Sequence, residues 1–326
     1  VVVTEILRVQ NVRVRYRVKS TLQAVLQRVS DPYIDAVRDV SLSIAEGQTF
    51  TLVGESGSGK STLALAVAGL LPVAAGSIDF DGQSVTAMDA AALQTYRRHI
   101  SFMWQNPIGS LSPRLSVGSL VTEPYKIHGL KDRDLNTECV RLLKMVGLTK
   151  EFAGRFPHQL SGGQARRVGV ARALALNPKL IIADEPTAGL DVSVQGEILN
   201  LLNRLQSELG VSMFVITHNL NIVRHISDRT AIMYLGRFVE QGPTDDIFSE
   251  PRHPYTLALL SANPVPDPEA SLERIELKGE VPSLMDRPSG CEFHTRCPFA
   301  GEGCNNTVPT PHAVSEAHTL TCHYPR

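Results

Sequence analysis

The stretch that most limits what this chain can fold into is Gly54-Glu55-Ser56-Gly57-Ser58-Gly59-Lys60-Ser61-Thr62. An apolar run, Thr49-Phe50-Thr51-Leu52-Val53, precedes it and reads as a buried strand. Leu63 to Leu71 follows and reads as a helix. A glycine-rich turn between a strand and a helix is the context in which this spacing signifies a phosphate-binding loop. The glycines let backbone N–H groups turn inward around an anion, and the helix start adds its partial positive charge. Lys60 is placed to reach the β- and γ-phosphates of a nucleoside triphosphate, and the Ser61 hydroxyl to ligate Mg²⁺. The plainer reading, a βα turn with an incidental lysine, leaves the full spacing and both flanking elements unexplained.

Further candidates sit at strand ends and helix starts. Leu180-Ile181-Ile182-Ala183 is a continuous apolar run that ends in Asp184 and Glu185. In an open parallel sheet, ligands bind at the carboxyl ends of the strands. Asp184 is therefore expected to hold Mg²⁺, directly or through water, and Glu185 to polarise the attacking water. Their alternative is an acidic cap on the next helix. His218 and Gln105 also end apolar strands; alone each reads as structural, and they gain weight from the rest of the set. In Leu160-Ser161-Gly162-Gly163-Gln164, Ser161 is expected to cap a helix and Gly162 and Gly163 to allow close approach to an anion. This second anion-binding start lies far along the chain from the first, which makes sense if it faces a nucleotide held by another subunit.

Composition bounds the rest. The 326 residues carry a net charge of −1 and are 43% hydrophobic and 20% charged, as in ordinary globular proteins. Nothing in that balance marks a nucleic-acid-binding surface. No apolar run reaches the roughly eighteen residues of a membrane-spanning helix, and no signal peptide is visible. The first residues, Val1-Val2-Val3, lack a methionine, so the chain is expected to be trimmed or part of a longer polypeptide. Cys139 stands alone, while Cys291, Cys297, Cys304 and Cys322 crowd the end. An ATP user is expected in the cytoplasm, where structural disulfides are rare, so clustered cysteines point to a metal site. Their gaps of five, six and seventeen residues are wider than zinc sites favour and suit an iron–sulfur cluster. His294, His312, His318 and His323 keep zinc open as the alternative, and the plainest reading, four reduced and unliganded thiols, ranks behind both metals.

Coarse periodicity organises the chain. Residues 4–18 and 36–44 alternate as β-strands, and Leu22–Leu26 has a short helical pattern. Further strands are expected at 77–80, 99–104, 180–185 and 211–218, with a hairpin around Gly236. Helices are expected near 89–98, 116–128, 134–146, from 161 to about 176, and over 192–208 and 219–227. Beyond about residue 250, frequent prolines suggest mostly loop.

Taken together, these motifs resemble the ATP-binding subunit of an ABC (ATP-binding cassette) transporter. In that family's terms Gly54–Thr62 is Walker A, Gln105 the Q-loop residue, Leu160–Gln164 the signature, Asp184 and Glu185 the end of Walker B, Ala188-Gly189-Leu190-Asp191 the D-loop and His218 the switch histidine. The resemblance implies an α/β fold: a P-loop NTPase (RecA-like) core with an N-terminal antiparallel β subdomain, a helical subdomain inserted at about 106–172, and a cysteine-containing tail. Residues 1–249 would form the nucleotide-binding domain. Glu185 and His218 would be catalytic with Lys60 and Gln105, and Ser61, Gln105 and Asp184 would hold Mg²⁺. An aromatic would stack on adenine, Tyr16 first and Tyr33 second. Arg166 follows Ala165, where the family usually carries a bulkier polar residue, and little is expected of that departure.

Gln105–Arg114, Phe156-Pro157-His158-Gln159 and the tail residues 250–326 are similar to the oligopeptide/dipeptide importer type. That resemblance implies a 4Fe–4S cluster on Cys291, Cys297, Cys304 and Cys322, two transmembrane permeases, a second ABC subunit in a homo- or heterodimer, and an external solute-binding protein. It places the chain peripherally on the cytoplasmic face of the inner membrane, and implies no nucleic-acid partner. Its ATP would lie between one subunit's Lys60 loop and the other's Ser161. The competing reading is a soluble ABC-type ATPase acting on ribosomes or DNA; a third class is a redox sensor built on the cysteines.

Overall fold

The computed structural model describes residues 4–18, 33–130, 132–262 and 275–326; the helical pattern at Leu22–Leu26 lies outside them. Two compact units divide the chain. One comprises Val1–Leu7, Ile44–Thr49 and Phe80–Ile216, the other Arg8–Ser43, Phe50–Asp79 and Thr217–Arg326.

In order, the elements are β1 (Glu5–Arg17), β2 (Tyr33–Ala45), β3 (Thr49–Val53), α1 (Lys60–Val67), β4 (Ala75–Phe80), β5 (Gln83–Ser84), α2 (Ala90–His99), β6 (Ile100–Met103), α3 (Val117–Ile127), α4 (Leu135–Met145), α5 (Gly162–Leu174), β7 (Leu180–Asp184) and α6 (Val192–Leu209). They continue with β8 (Ser212–Thr217), α7 (Leu220–Ile226), β9 (Arg229–Tyr234), β10 (Arg237–Pro243), α8 (Thr244–Ser249), α9 (Pro254–Ser261), β11 (His312–Ala313) and β12 (Thr319–Leu320).

Within the first unit β6, β7 and β8 are parallel neighbours, in register from Ile100 opposite Leu180 to Asp184 opposite Ile216. All of β7 and β8 is buried, which is why both segments read as unbroken apolar runs rather than alternating ones. The register leaves Asp184 as the last paired residue of its strand. The helices α3, α4 and α5 pack on one another around Val117, Leu120, Leu142, Leu143 and Val168, all fully buried. Asp134 starts α4 as an N-cap, accepting from the N–H groups of Asn136 and Thr137.

In the second unit β3 runs parallel to β9, with Val53 opposite Ile232. The strands β9 and β10 form the expected hairpin, with a bulge between Phe238 and Glu240. The end of the chain then adds two short strands: Leu320 of β12 pairs with Glu240, and β11 pairs with β12. In a separate sheet β2, β1 and β4 are neighbours in that order. The tail is not mostly loop at its start. Pro254 takes the first position of α9, where its missing N–H costs nothing, and the His253 ring caps the helix. The prolines that suggest loop there include one that begins a helix.

Candidate active site

The phosphate-binding loop lies in the second unit. Its strand β3 is buried at all five positions, so the loop leaves from a rigid base. Gly59 has φ +102°, and a Cβ there would stand 2.4 Å from the Ala36 carbonyl oxygen. At Gly54 a Cβ would meet the Met233 carbonyl oxygen at 2.3 Å. Both positions require glycine, because backbone passes where a side chain would begin. Lys60 opens α1, and its Nζ donates to the carbonyls of Gly54 at 2.7 Å and Glu55 at 2.8 Å. The ammonium is thus held over the loop's own interior. Ser61 and Ser56 are exposed, and Gly59 caps α1 without a side-chain hydrogen bond; the start of such a helix suits an anion. The Tyr16 hydroxyl lies 3.3 Å from the Thr62 Oγ1, and the ring is 40% exposed. His218 follows β8 and is exposed.

The remaining candidates lie in the first unit. Asp184 and Glu185 are each 8% exposed. Glu185 sits at φ +50°, a left-handed conformation that costs a non-glycine residue about 1–3 kcal/mol and concentrates at functional sites. Its N–H donates to the Ile216 carbonyl at 2.8 Å, which holds the turn. Ser161 caps α5 in a full capping box: its hydroxyl accepts the Gln164 N–H, and the Gln164 amide accepts the Ser161 N–H at 3.1 Å. Asp191 caps α6, accepting from the Val194 N–H at 2.9 Å. Gln105 is exposed, two residues beyond β6.

Arg166 is the residue that sequence reasoning undervalued. It is 1% exposed and ranks among the largest fully buried side chains. Its guanidinium donates to the carbonyls of Trp104 at 3.1 Å, Gln105 at 3.0 Å and Ala188 at 3.3 Å. One side chain on α5 therefore fixes both the segment carrying Gln105 and the segment leading to Asp191. Burial pulls its pKa down, and the Glu185 charge works against that. The available signal was an arginine on the apolar face of a helix, where a charge survives only when it is paired or hydrogen-bonded.

Residues 37–188 match the family model described as ABC transporter, and residues 239–304 match that of the oligopeptide/dipeptide transporter C-terminal region. Over 293 residues the chain is 45% identical to "Probable peptide ABC transporter ATP-binding protein y4tS" of Sinorhizobium fredii (strain NBRC 101917 / NGR234), covering 90% of this chain and 83% of that one. This chain belongs to the ABC transporter family. It is also 42% identical over 322 residues to the oligopeptide transport ATP-binding protein AppF of Bacillus subtilis (strain 168), covering 98% and 97% of the two chains. Among solved structures, the dimeric ATP-binding cassette MJ0796 bound to ADP and Pi superposes with a TM-score of 0.64 at 31% identity, over 73% of this chain and 98% of that one. The cbiO1 protein of Clostridium perfringens, part of the transporter complex cbiONQ, gives 0.64 at 28% identity, over 76% and 92%. This ABC subunit has a P-loop NTPase core and is an ATPase that uses Mg²⁺. It works as one of two cassettes on membrane permeases, and the comparisons do not favour a soluble ATPase acting on ribosomes or DNA. ATP and Mg²⁺ fit what is present: a loop closed to side chains at Gly54 and Gly59, a lysine held over it, and a serine exposed in the first helical turn.

The cysteine cluster requires a correction. Cys291, Cys297, Cys304 and Cys322 do converge on one cavity, but it measures only about 10 Å³, room for one water at most. Among the described residues no group of three or more His, Cys, Asp or Glu is arranged to hold a metal ion. All four cysteines are free thiols. Burial pushes the Cys291 and Cys322 thiols up to about 11. Cys291 and Cys297 pack against the apolar cluster around Tyr234, Tyr255 and Phe293. The relatives carry ABC transporter ATP-binding names with no mention of such a group. Neither the 4Fe–4S expectation nor its zinc alternative stands, and these cysteines act as small apolar side chains.

Proposed function

We propose that this chain is the energy-coupling ATPase of a peptide importer, held on the cytoplasmic face of the inner membrane by two permeases and supplied by an external solute-binding protein. The observation that carries the cargo class is the tail: residues 239–304 match the oligopeptide/dipeptide C-terminal region, and AppF, an oligopeptide transport protein, matches along nearly the whole length. Among the described residues no helix is long and apolar enough to cross a membrane, in keeping with attachment through protein partners. In this reading residues 1–249 are the nucleotide-binding domain, 106–172 its helical insertion, and 250–326 the importer-type extension.

The residue roles follow. The Gly54–Thr62 loop binds the phosphates, and Lys60 leaves its own carbonyls for the β- and γ-phosphates. Ser61, Gln105 and Asp184 hold Mg²⁺. Glu185 takes the proton of the attacking water, and His218 steadies that water against the γ-phosphate. Tyr16 stacks on adenine, and its contact with Thr62 favours it over Tyr33. Ser161, Gly162, Gly163 and Gln164, with Asp191, complete the nucleotide site of the second cassette; the glycine-bearing start of α5 suits a γ-phosphate. Glu185→Gln, which keeps the shape and removes the base, should bind MgATP as the parent does and hydrolyse it about a hundredfold more slowly or worse. Undiminished turnover would remove Glu185 from the role. Co-purification of the parent with permeases tests the importer reading, and association with ribosomes instead would overturn it.

A further inference from the structure

The phosphate-binding loop is gripped from outside by the tail. Both terminal nitrogens of Arg296 donate to the Glu55 carboxylate, Nη1 to Oε2 at 2.8 Å and Nη2 to Oε1 at 3.2 Å. The partners are 241 residues apart in sequence. The Arg296 side chain is 8% exposed and that of Glu55 27%, so this is not a surface pair of negligible worth. It is bidentate and largely shielded from water, the geometry in which a guanidinium fixes a carboxylate in both position and plane.

Two further contacts hold the same loop. The Glu55 N–H donates to the Tyr255 hydroxyl of α9 at 3.1 Å, and the Gly236 N–H donates to the Ser58 carbonyl at 2.8 Å. Arg296 is itself fixed. Its N–H donates to the Phe293 carbonyl at 3.0 Å, and Phe293 packs on Tyr234 and Tyr255 with ring centroids 5.2 and 5.3 Å apart. Burial works against the charge on Arg296, but its hydrogen bonds, foremost to Glu55, and the Glu55 charge outweigh that and carry its pKa upward.

We propose that Arg296 is a positioning residue for the nucleotide site: by clamping Glu55 it holds the phosphate-binding loop in its ATP-ready shape before nucleotide arrives, so that the cysteine-bearing tail sets the affinity for MgATP. A loop ordered in advance binds more tightly because the ordering cost is already met by folding. The inference rests on the Gly54–Thr62 loop being the ATP site. It adds that the tail is part of that site's support and not only a decoration on the cassette.

The test uses the full chain, with MgATP affinity measured by calorimetric titration and unfolding by denaturant in the absence of nucleotide. Arg296→Gln and Glu55→Gln should each weaken MgATP affinity about five- to tenfold, and the double variant should lose little more than either single, as coupled partners do. Arg296→Lys should recover part of the loss, and amides 55–59 of Arg296→Gln should exchange faster. If Arg296→Gln loses stability while its affinity stays within about twofold of the parent, or if the two single losses multiply in the double, the pair is a staple and the inference falls. Should Arg296→Gln fail to fold, Glu55→Gln, which leaves the aromatic cluster intact, decides alone: unchanged affinity overturns the inference. A Lys60→Ala control that binds MgATP as tightly as the parent would overturn the loop assignment itself, and this inference with it.

Discussion

Arg166 donates to the carbonyl of Gln105 at 3.0 Å from a position 61 residues further along the chain. The same guanidinium holds Trp104 and Ala188, so the start of α5 and two loops with proposed roles in hydrolysis are tied to one buried group. Arg166→Met fills similar space and removes every donor. It should cost roughly 2–4 kcal/mol of stability, since the buried side chain's three hydrogen bonds to backbone carbonyls are lost, and it should lower kcat more than KM. Arg166→Lys should fall between. Denaturant unfolding and steady-state ATPase rates check this; a Met variant as stable as the parent would refute it.

The glycine loop makes a prediction about space alone. Gly54→Ala places a Cβ against the Met233 carbonyl, which is backbone and cannot swing away. A loss of about 1–3 kcal/mol is expected, together with weaker MgATP binding. Gly154→Ala meets nothing within 4 Å at an ordinary φ and should stay within about 0.5 kcal/mol of the parent. Urea unfolding of the two side by side separates a steric requirement from a general intolerance of alanine.

His253 makes the chain sensitive to acid. Its Nδ1 accepts the Tyr255 N–H at 3.0 Å and so must be unprotonated, and burial lowers its pKa to about 3. Around it stand the Glu240 carboxylate, which accepts the His253 N–H at 3.0 Å, and His318, which contacts that carboxylate at 2.9 Å. The folded pKa lies below the unfolded value near 6.5, so the unfolded chain binds the proton first. The stability tied to neutral His253 is complete above pH 6.5 and is lost as pH falls toward 3, at up to about 1.4 kcal/mol per pH unit. His253→Asn keeps a capping acceptor and lacks the titration. Unfolding free energies between pH 6.5 and 4.5 should fall by about 2–3 kcal/mol more for the parent than for this variant; parallel curves would contradict the account.

What the sequence made legible was local. Gly54–Thr62 is a contiguous pattern, and Ser161 with Gln164 is a pair three residues apart. The buried strand ending in Asp184 is a run of apolar residues with a charge after it. Each is dictated within a few residues by backbone geometry. The Arg166 contacts and the Arg296–Glu55 clamp were illegible, because they join segments 22 to 241 residues apart and no periodicity encodes which carbonyl or carboxylate a guanidinium will meet. The tail misled in two ways. Pro254 reads as a helix breaker but occupies the one helical position that suits it. Four cysteines at ligand-like spacings read as a metal site, yet they line a cavity with room for one water at most, and no metal-holding group is formed among the described residues.

The central claim is that the nucleotide held by the Lys60 loop of one cassette is completed by Ser161 of another. Mixing purified Lys60→Ala and Ser161→Arg proteins, each inactive alone, tests it most directly. Random pairing gives mixed dimers that keep one intact site, so an equal mixture should regain roughly a quarter of the parental ATPase rate. A mixture as inactive as its components would contradict the account.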